Sequence, residues 1–214
     1  MLLRVTEGTR ARRVITRSPT RTVGRFPSLK AGRSIHWESQ LERDFVYLLE
    51  FDPAMLDYRE QPETIRLTID GKPRRYTPDF LVRTASLMVV YEVKPADKAA
   101  HPDMVALFAA AADHYAGRGM HHQVVTEADI RIRPYLDNVA LLLRYRSHPV
   151  DPDVEAMVLD RLAFEPAPLG ELIAALAPHA DMAEVLALLA NRRLAADLAR
   201  RLDRDAVIRL PGEG

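Results

Sequence analysis

The chain has 214 residues, 48% of them hydrophobic, with 30 Lys and Arg balanced by 30 Asp and Glu and no cysteine. That size suffices for one cored domain and a smaller companion, and the missing thiols exclude disulfides, cysteine nucleophiles and cysteine-based zinc or iron sites. No apolar run nears the roughly 18 to 20 residues of a membrane span, no secretory leader is read, and seven His without H-E-x-x-H argue against a His-rich metal centre. A soluble, cytoplasmic protein is the expectation.

The zero net charge conceals an asymmetry. Residues 1–34 hold Arg4, Arg10, Arg12, Arg13, Arg17, Arg21, Arg25, Lys30 and Arg33 against Glu7 alone, spaced by Thr, Ser, Pro and Gly. Without helical periodicity and with little to bury, this segment is expected to be an extended arm whose cations, Arg10, Arg12 and Arg13 among them, contact DNA phosphates; a solvated tail and an arm that docks on a partner protein are the competing readings.

From Glu38 to Leu49 the spacing of Leu41, Phe45, Leu48 and Leu49 predicts an amphipathic helix. Glu42 borders its apolar stripe, where a carboxylate is unfavourable unless paired or bound to a cation; Ser39-x-x-Glu42 also has the spacing of a capping box, a role that competes for the same carboxylate. Thr64–Ile69 alternates as a strand, Asp70-Gly71 is a hairpin turn, and Arg74–Val82 is the returning strand. After a break at Arg83–Ser86, Leu87–Lys94 forms the next strand. Met104–Tyr115 is an apolar helix, and His122–Thr126 is a strand parallel to the one bearing Glu92, because a helical crossover joins them. His121-His122 is read as a loop and strand start, not a ligand pair. A helix over Tyr135–Arg146 follows.

Within this frame Tyr76-Thr77-Pro78-Asp79-Phe80 and Tyr91-Glu92-Val93-Lys94 carry the chemistry. Alternation puts Glu92 and Lys94 on one face, and Asp79 on the partner strand can share it. Two carboxylates with the Val93 carbonyl beside them make an oxygen-ligand site for Mg2+, and an adjacent ammonium suits phosphodiester hydrolysis. A half-buried hairpin with a solvated Glu92–Lys94 pair is the plainer alternative.

The order Ser39-Gln40-Leu41-Glu42, Leu56-Asp57-Tyr58-Arg59-Glu60-Gln61-Pro62, Thr77-Pro78-Asp79-Phe80-Leu81, Glu92-Val93-Lys94-Pro95 resembles the catalytic domain of the TnsA endonucleases of Tn7-like transposons, members of the PD-(D/E)XK superfamily. The resemblance covers about residues 35–130. It implies a restriction-endonuclease-like α/β core, a mixed central sheet flanked by helices. It also implies that Glu42, Asp79, Glu92 and Lys94 are catalytic, that Glu42, Asp79, Glu92 and Val93 hold Mg2+ with Mn2+ able to substitute, and that Gln61 has a structural or DNA-facing role. Glu92 stands where the best-known member has Gln, a departure that keeps the metal site intact. The implied partners are DNA, a DDE-type transposase subunit and the ATPase regulator of transposition.

Pro149–Pro152 marks a change of composition. Helices over Val154–Phe164, Leu169–Leu176 and Ala183–Asn191, with strands near Arg193–Leu198 and Ala206–Leu210, suggest a small winged-helix-like domain. From Asp151 onward it carries seven Arg against twelve Asp and Glu, a balance that favours protein contact over phosphate. The expected organisation is therefore a basic arm (1–34), a nuclease domain (35–148) and an interaction domain (149–214). The expected activity is metal-dependent cleavage of one DNA strand at transposon ends; a stand-alone restriction or repair nuclease and a non-catalytic DNA-binding assembly factor of the same fold are the alternatives.

Overall fold

The computed structural model describes residues 22–212, which divide into two units between Arg131 and Ile132. Arg10, Arg12 and Arg13 lie outside the described residues. The last part of the expected arm is folded: β1 (Gly24–Ser28) and β2 (Arg33–Trp37) form an antiparallel hairpin. Phe26 and Ile35 supply it with a buried face, and Lys30 donates through Nζ to the carbonyls of Leu49 (2.8 Å) and Asp52. The cation thus satisfies orphan carbonyls at the end of a helix, where its charge also complements the helix dipole.

That helix, α1 (Gln40–Phe51), begins at the Ser39 cap and buries Leu41, Phe45, Val46 and Leu49. The central sheet has the order β3-β6-β7-β8, formed by β3 (Asp57–Glu60), β6 (Phe80–Arg83), β7 (Met88–Val93) and β8 (His121–Val125). Strand β6 is antiparallel to both β3 and β7; β8 runs parallel to β7 after the crossover through α2 (Ala96–Ala99) and α3 (Pro102–Ala116). A short α4 (Glu127–Ile130) follows, capped by Thr126. This mixed α/β arrangement fits a restriction-endonuclease-like fold.

Two strands differ from expectation. The stretch Arg74–Val82 is not one strand: β5 (Lys72–Tyr76) pairs with β4 (Ile65–Ile69) in a separate hairpin, and the chain re-enters the main sheet at β6. Pro78 lacks an amide proton and cannot continue a ladder, so the break falls at Thr77-Pro78-Asp79. The third antiparallel strand of the sheet is β3, hidden in a charged Asp-Tyr-Arg-Glu run whose Tyr58 and Glu60 are buried. Successive side chains then cover opposite faces. Phe80 and Tyr91 meet Phe45 of α1 at ring distances of 5.7 and 5.1 Å, while Leu81 and Val90 join Phe108, Ala111 and Tyr115 of α3 under the β4–β5 hairpin.

The second unit contains α5 (Tyr135–Tyr145), α6 (Pro152–Phe164), β9 (Ala167–Pro168), α7 (Leu169–Leu176), α8 (Met182–Ala190) and β10 (Val207–Ile208), with β9 and β10 antiparallel. The strand expected near Arg193–Leu198 is reduced to one bridge, Ala195 to Arg209. The second unit begins ahead of α5. Asn138 of α5 explains why: its Nδ2 donates to the carbonyls of Leu198 (2.9 Å) and Arg200 (2.6 Å), and its Oδ1 accepts from the Leu202 amide (3.0 Å), tying α5 to the C-terminal chain. Among the described residues no helix is long and apolar enough to cross a membrane.

Candidate active site

The chain break at Pro78 leaves Asp79 one position before the Phe80–Tyr91 pair, opposite Glu92. Its backbone is fixed from two sides: the Asp79 amide donates to the Tyr91 carbonyl (3.1 Å) and its carbonyl accepts from the Gln61 amide (2.7 Å). The carboxylate accepts the Val93 amide through Oδ2 at 2.8 Å. Glu92, 4% exposed, is held at 2.7 Å from Lys94 Nζ and at 2.9 Å from the Tyr76 hydroxyl, which donates to Oε2. Glu42 is engaged at the start of α1. Its Oε2 accepts the Glu38 amide (2.7 Å), its Oε1 accepts from Ser39 Oγ (3.1 Å), and its own amide donates to Ser39 Oγ (3.1 Å). Ser39 thus caps the helix while Glu42 reaches back to the Glu38 amide instead of closing a full capping box, and the same carboxylate lines the cavity shared with Asp79, Glu92 and Lys94.

That cavity has a volume of about 610 Å³, and among the described residues four carboxylates (Glu38, Glu42, Asp79 and Glu92) and two ammonium groups, Lys94 and Lys98, face it. Burial, then the negative charges of Glu92 and Glu42, push the Asp79 carboxyl well above its ordinary value. Burial likewise raises Glu42, partly offset by the Glu38 amide and the Ser39 hydroxyl. For Lys94 burial acts downward, but the charges of Glu92, Asp79 and Glu42 outweigh it and hold the amine above its usual range, so it stands as an ammonium at neutral pH.

Among the described residues no three His, Asp or Glu side chains are grouped so as to hold a metal ion as they stand. Glu92 is turned onto Lys94 and Tyr76, and Glu42 onto its helix cap. The donor chemistry nevertheless fits a hard divalent cation: the oxygens are carboxylate oxygens, and the charges of Glu92 and Glu42 raise the proton affinity of Asp79, a repulsion a cation relieves.

Gln61 lies in the cavity wall. It is 7% exposed, adopts a left-handed φ of 43°, donates through Nε2 to Glu38 Oε1 at 3.0 Å, and leaves its own Oε1 buried without a partner. Such strain in a non-glycine residue clusters at functional sites. Two residues outside the expected set also belong here. Tyr76 Oη lies 2.8 Å from His122 Nε2 as well as against Glu92, and the His122 ring stacks on Tyr115 with 2° between planes. Burial lowers the His122 pKa and, with the Glu92 charge, raises that of Tyr76. The alternation of β8 could have put His122 and Val124 on one face, but nothing in the sequence pairs His122 with Tyr76 across the hairpin.

An acidic pair at the junction of adjacent strands, a lysine two residues beyond and a helix carboxylate line this one cavity. Residues 52–127 match the family model of the TnsA-like endonuclease N terminal. This stretch, similar to that family, contains Gln61, Asp79, Glu92 and Lys94, and Glu42 lies upstream of the matched residues. No curated protein matches the chain.

Proposed function

We propose that the chain is the endonuclease subunit of a Tn7-like transposase, hydrolysing one DNA strand at the transposon ends with Mg2+, for which Mn2+ can substitute. The observation that carries this reading is the meeting of Asp79, Glu92, Lys94 and Glu42 in one cavity built on a TnsA-like endonuclease segment. Asp79, Glu92 and Glu42, with the Val93 carbonyl, would hold the cation. The chemistry such a cation supplies when bound is neutralisation of charge on the scissile phosphate and a more acidic water. Lys94 contributes a fixed ammonium that donates to a phosphate oxygen or orients the attacking water. Its raised pKa makes it an electrostatic group and not a general base.

A subunit of this kind works with a DDE-type transposase that cuts and joins the other strand, and with an ATPase regulator. The acidic C-terminal unit, read as winged-helix-like, suits protein contact better than phosphate, and a cytoplasmic location follows from the same assignment.

Calorimetric titration with Mn2+ tests the site without DNA or partner. Wild type should bind and Asp79→Ala should not, while the variant stays folded. Binding retained in Asp79→Ala would sink the site assignment, and efficient cleavage by the purified chain alone would make it a stand-alone nuclease.

A further inference from the structure

We infer that the β4–β5 hairpin is a phosphate-binding wall that holds the backbone of a DNA duplex in a groove leading to the Asp79–Glu92 cavity. The inference rests on the nuclease reading of that cavity and adds the surface by which the substrate is held.

The hairpin is paired in an unfavourable way for folding alone. Arg66 stands directly opposite Arg75, both are exposed, and neither has an acidic partner among the described residues. Like charges opposite one another weaken a strand pair. Lys72 and Arg74, also exposed, bring the cations in the two strands to four, and neither strand contains an acid. The core needs only the inner face, where Ile65, Leu67 and Tyr76 are buried. An anion in the groove beside Arg75 turns that repulsion into attraction.

Three concavities run together along this side of the first unit. The cavity around Asp79 shares Thr77, Glu92 and Lys94 with a second of about 500 Å³. The second shares Arg75, Met104 and Leu107 with a third of about 480 Å³, bordered by Lys72 and Arg74 and also by Asp70 and Asp103. Cations therefore follow the groove from Lys94 through Arg75 to Arg74 and Lys72. Guanidinium groups match phosphate geometry, and such contacts position a duplex without reading its sequence. A protein partner is disfavoured because the outer face, Arg66, Thr68, Pro73 and Arg75, offers no aromatic or large aliphatic anchor of the kind that dominates protein interfaces.

The test is fluorescence anisotropy of a labelled DNA duplex over a salt series, comparing wild type with Arg74→Gln/Arg75→Gln. Loss of two phosphate contacts should flatten the slope of log affinity against log salt by about 1.8, with a melting temperature equal to or above wild type because a like-charge pair is removed. An unchanged slope, or no duplex binding by wild type at low salt, would overturn the inference. So would binding no tighter than to polyglutamate of equal charge, which would make the partner an acidic polypeptide. The Mn2+ titration of Asp79→Ala reports on the nuclease reading separately, so either can fail alone.

Discussion

Helix α1 carries a buried or half-buried acid near each end, and the two meet opposite surroundings. At its C-terminal end Glu50, 6% exposed, accepts from Ser28 Oγ (2.7 Å), the Leu29 amide (2.8 Å) and Tyr58 Oη (2.8 Å). Nearby Glu60, 3% exposed, is gripped by both terminal nitrogens of Arg33 (3.1 and 2.7 Å) and by the His36 amide (3.2 Å). Burial acts upward on Glu60, but Arg33 outweighs it and holds the carboxyl below its ordinary range. At the N-terminal end, Glu42 and its neighbour Asp79 are pushed the other way. A buried acid surrounded by donors holds a fold together. Buried acids facing one another store repulsion that only a proton or a cation removes, and that difference separates scaffold from site.

The largest effect expected on the scaffold side is from Glu50→Ala. It leaves two hydroxyl groups and one amide without their acceptor and should lower unfolding free energy by about 3 kcal/mol, read by urea denaturation. Mn2+ binding by the folded fraction should be retained, since Glu50 does not line the cavity. Loss of Mn2+ binding at full folding would erase the distinction between the two groups. On the site side, Tyr76→Phe removes the hydroxyl lying between Glu92 and His122 and should weaken Mn2+ affinity by roughly 10- to 100-fold, the range for groups that orient a ligand, with a stability loss of about 1 kcal/mol. Unchanged affinity would leave Tyr76 a purely structural residue.

The residues that carry local signals were legible in the sequence: the Ser39 cap, the Asp70-Gly71 turn, the alternation around Glu92, and the crossover that makes β8 parallel to β7. What was not legible depends on pairing between distant segments. Asp57–Glu60 has too many charges to announce a strand, and only Arg33 and the register with Phe80 make Glu60 an interior position. Lys30 and Arg33 look like part of a basic tail until the carbonyls of α1 and the Glu60 carboxylate are brought to them. Pro78 was in view as part of a motif, yet its consequence, a strand that changes sheets to place Asp79 opposite Glu92, needed β3 as the new neighbour. The acidic pair could be named from spacing, whereas the turn of Glu92 onto Tyr76 and Lys94 could not.

The two groups of acids also give stability opposite dependences on pH. Glu60 has a folded pKa below its unfolded value, so its contribution is fully present above the unfolded pKa and is lost as pH falls through the folded one. Asp79 and Glu42 have folded values above their unfolded ones, so the stability of their protonated forms is present at low pH and is lost as pH rises through the folded pKa. Wild type should therefore be most stable in the weakly acidic range, weakening on the acid side through Glu60 and on the neutral side through the cavity. Asp79→Asn keeps the shape and removes the charge. It should raise stability at neutral pH and reduce the neutral-side decline, while Glu60→Gln should reduce the acid-side one. Urea denaturation of the three proteins across pH 3 to 8 in the absence of divalent cations would show this, the range spanning roughly the ordinary carboxylate values to neutrality. Parallel curves for wild type and Asp79→Asn would mean that the cavity stores no repulsion, and with it would go the physical reason for expecting a cation there.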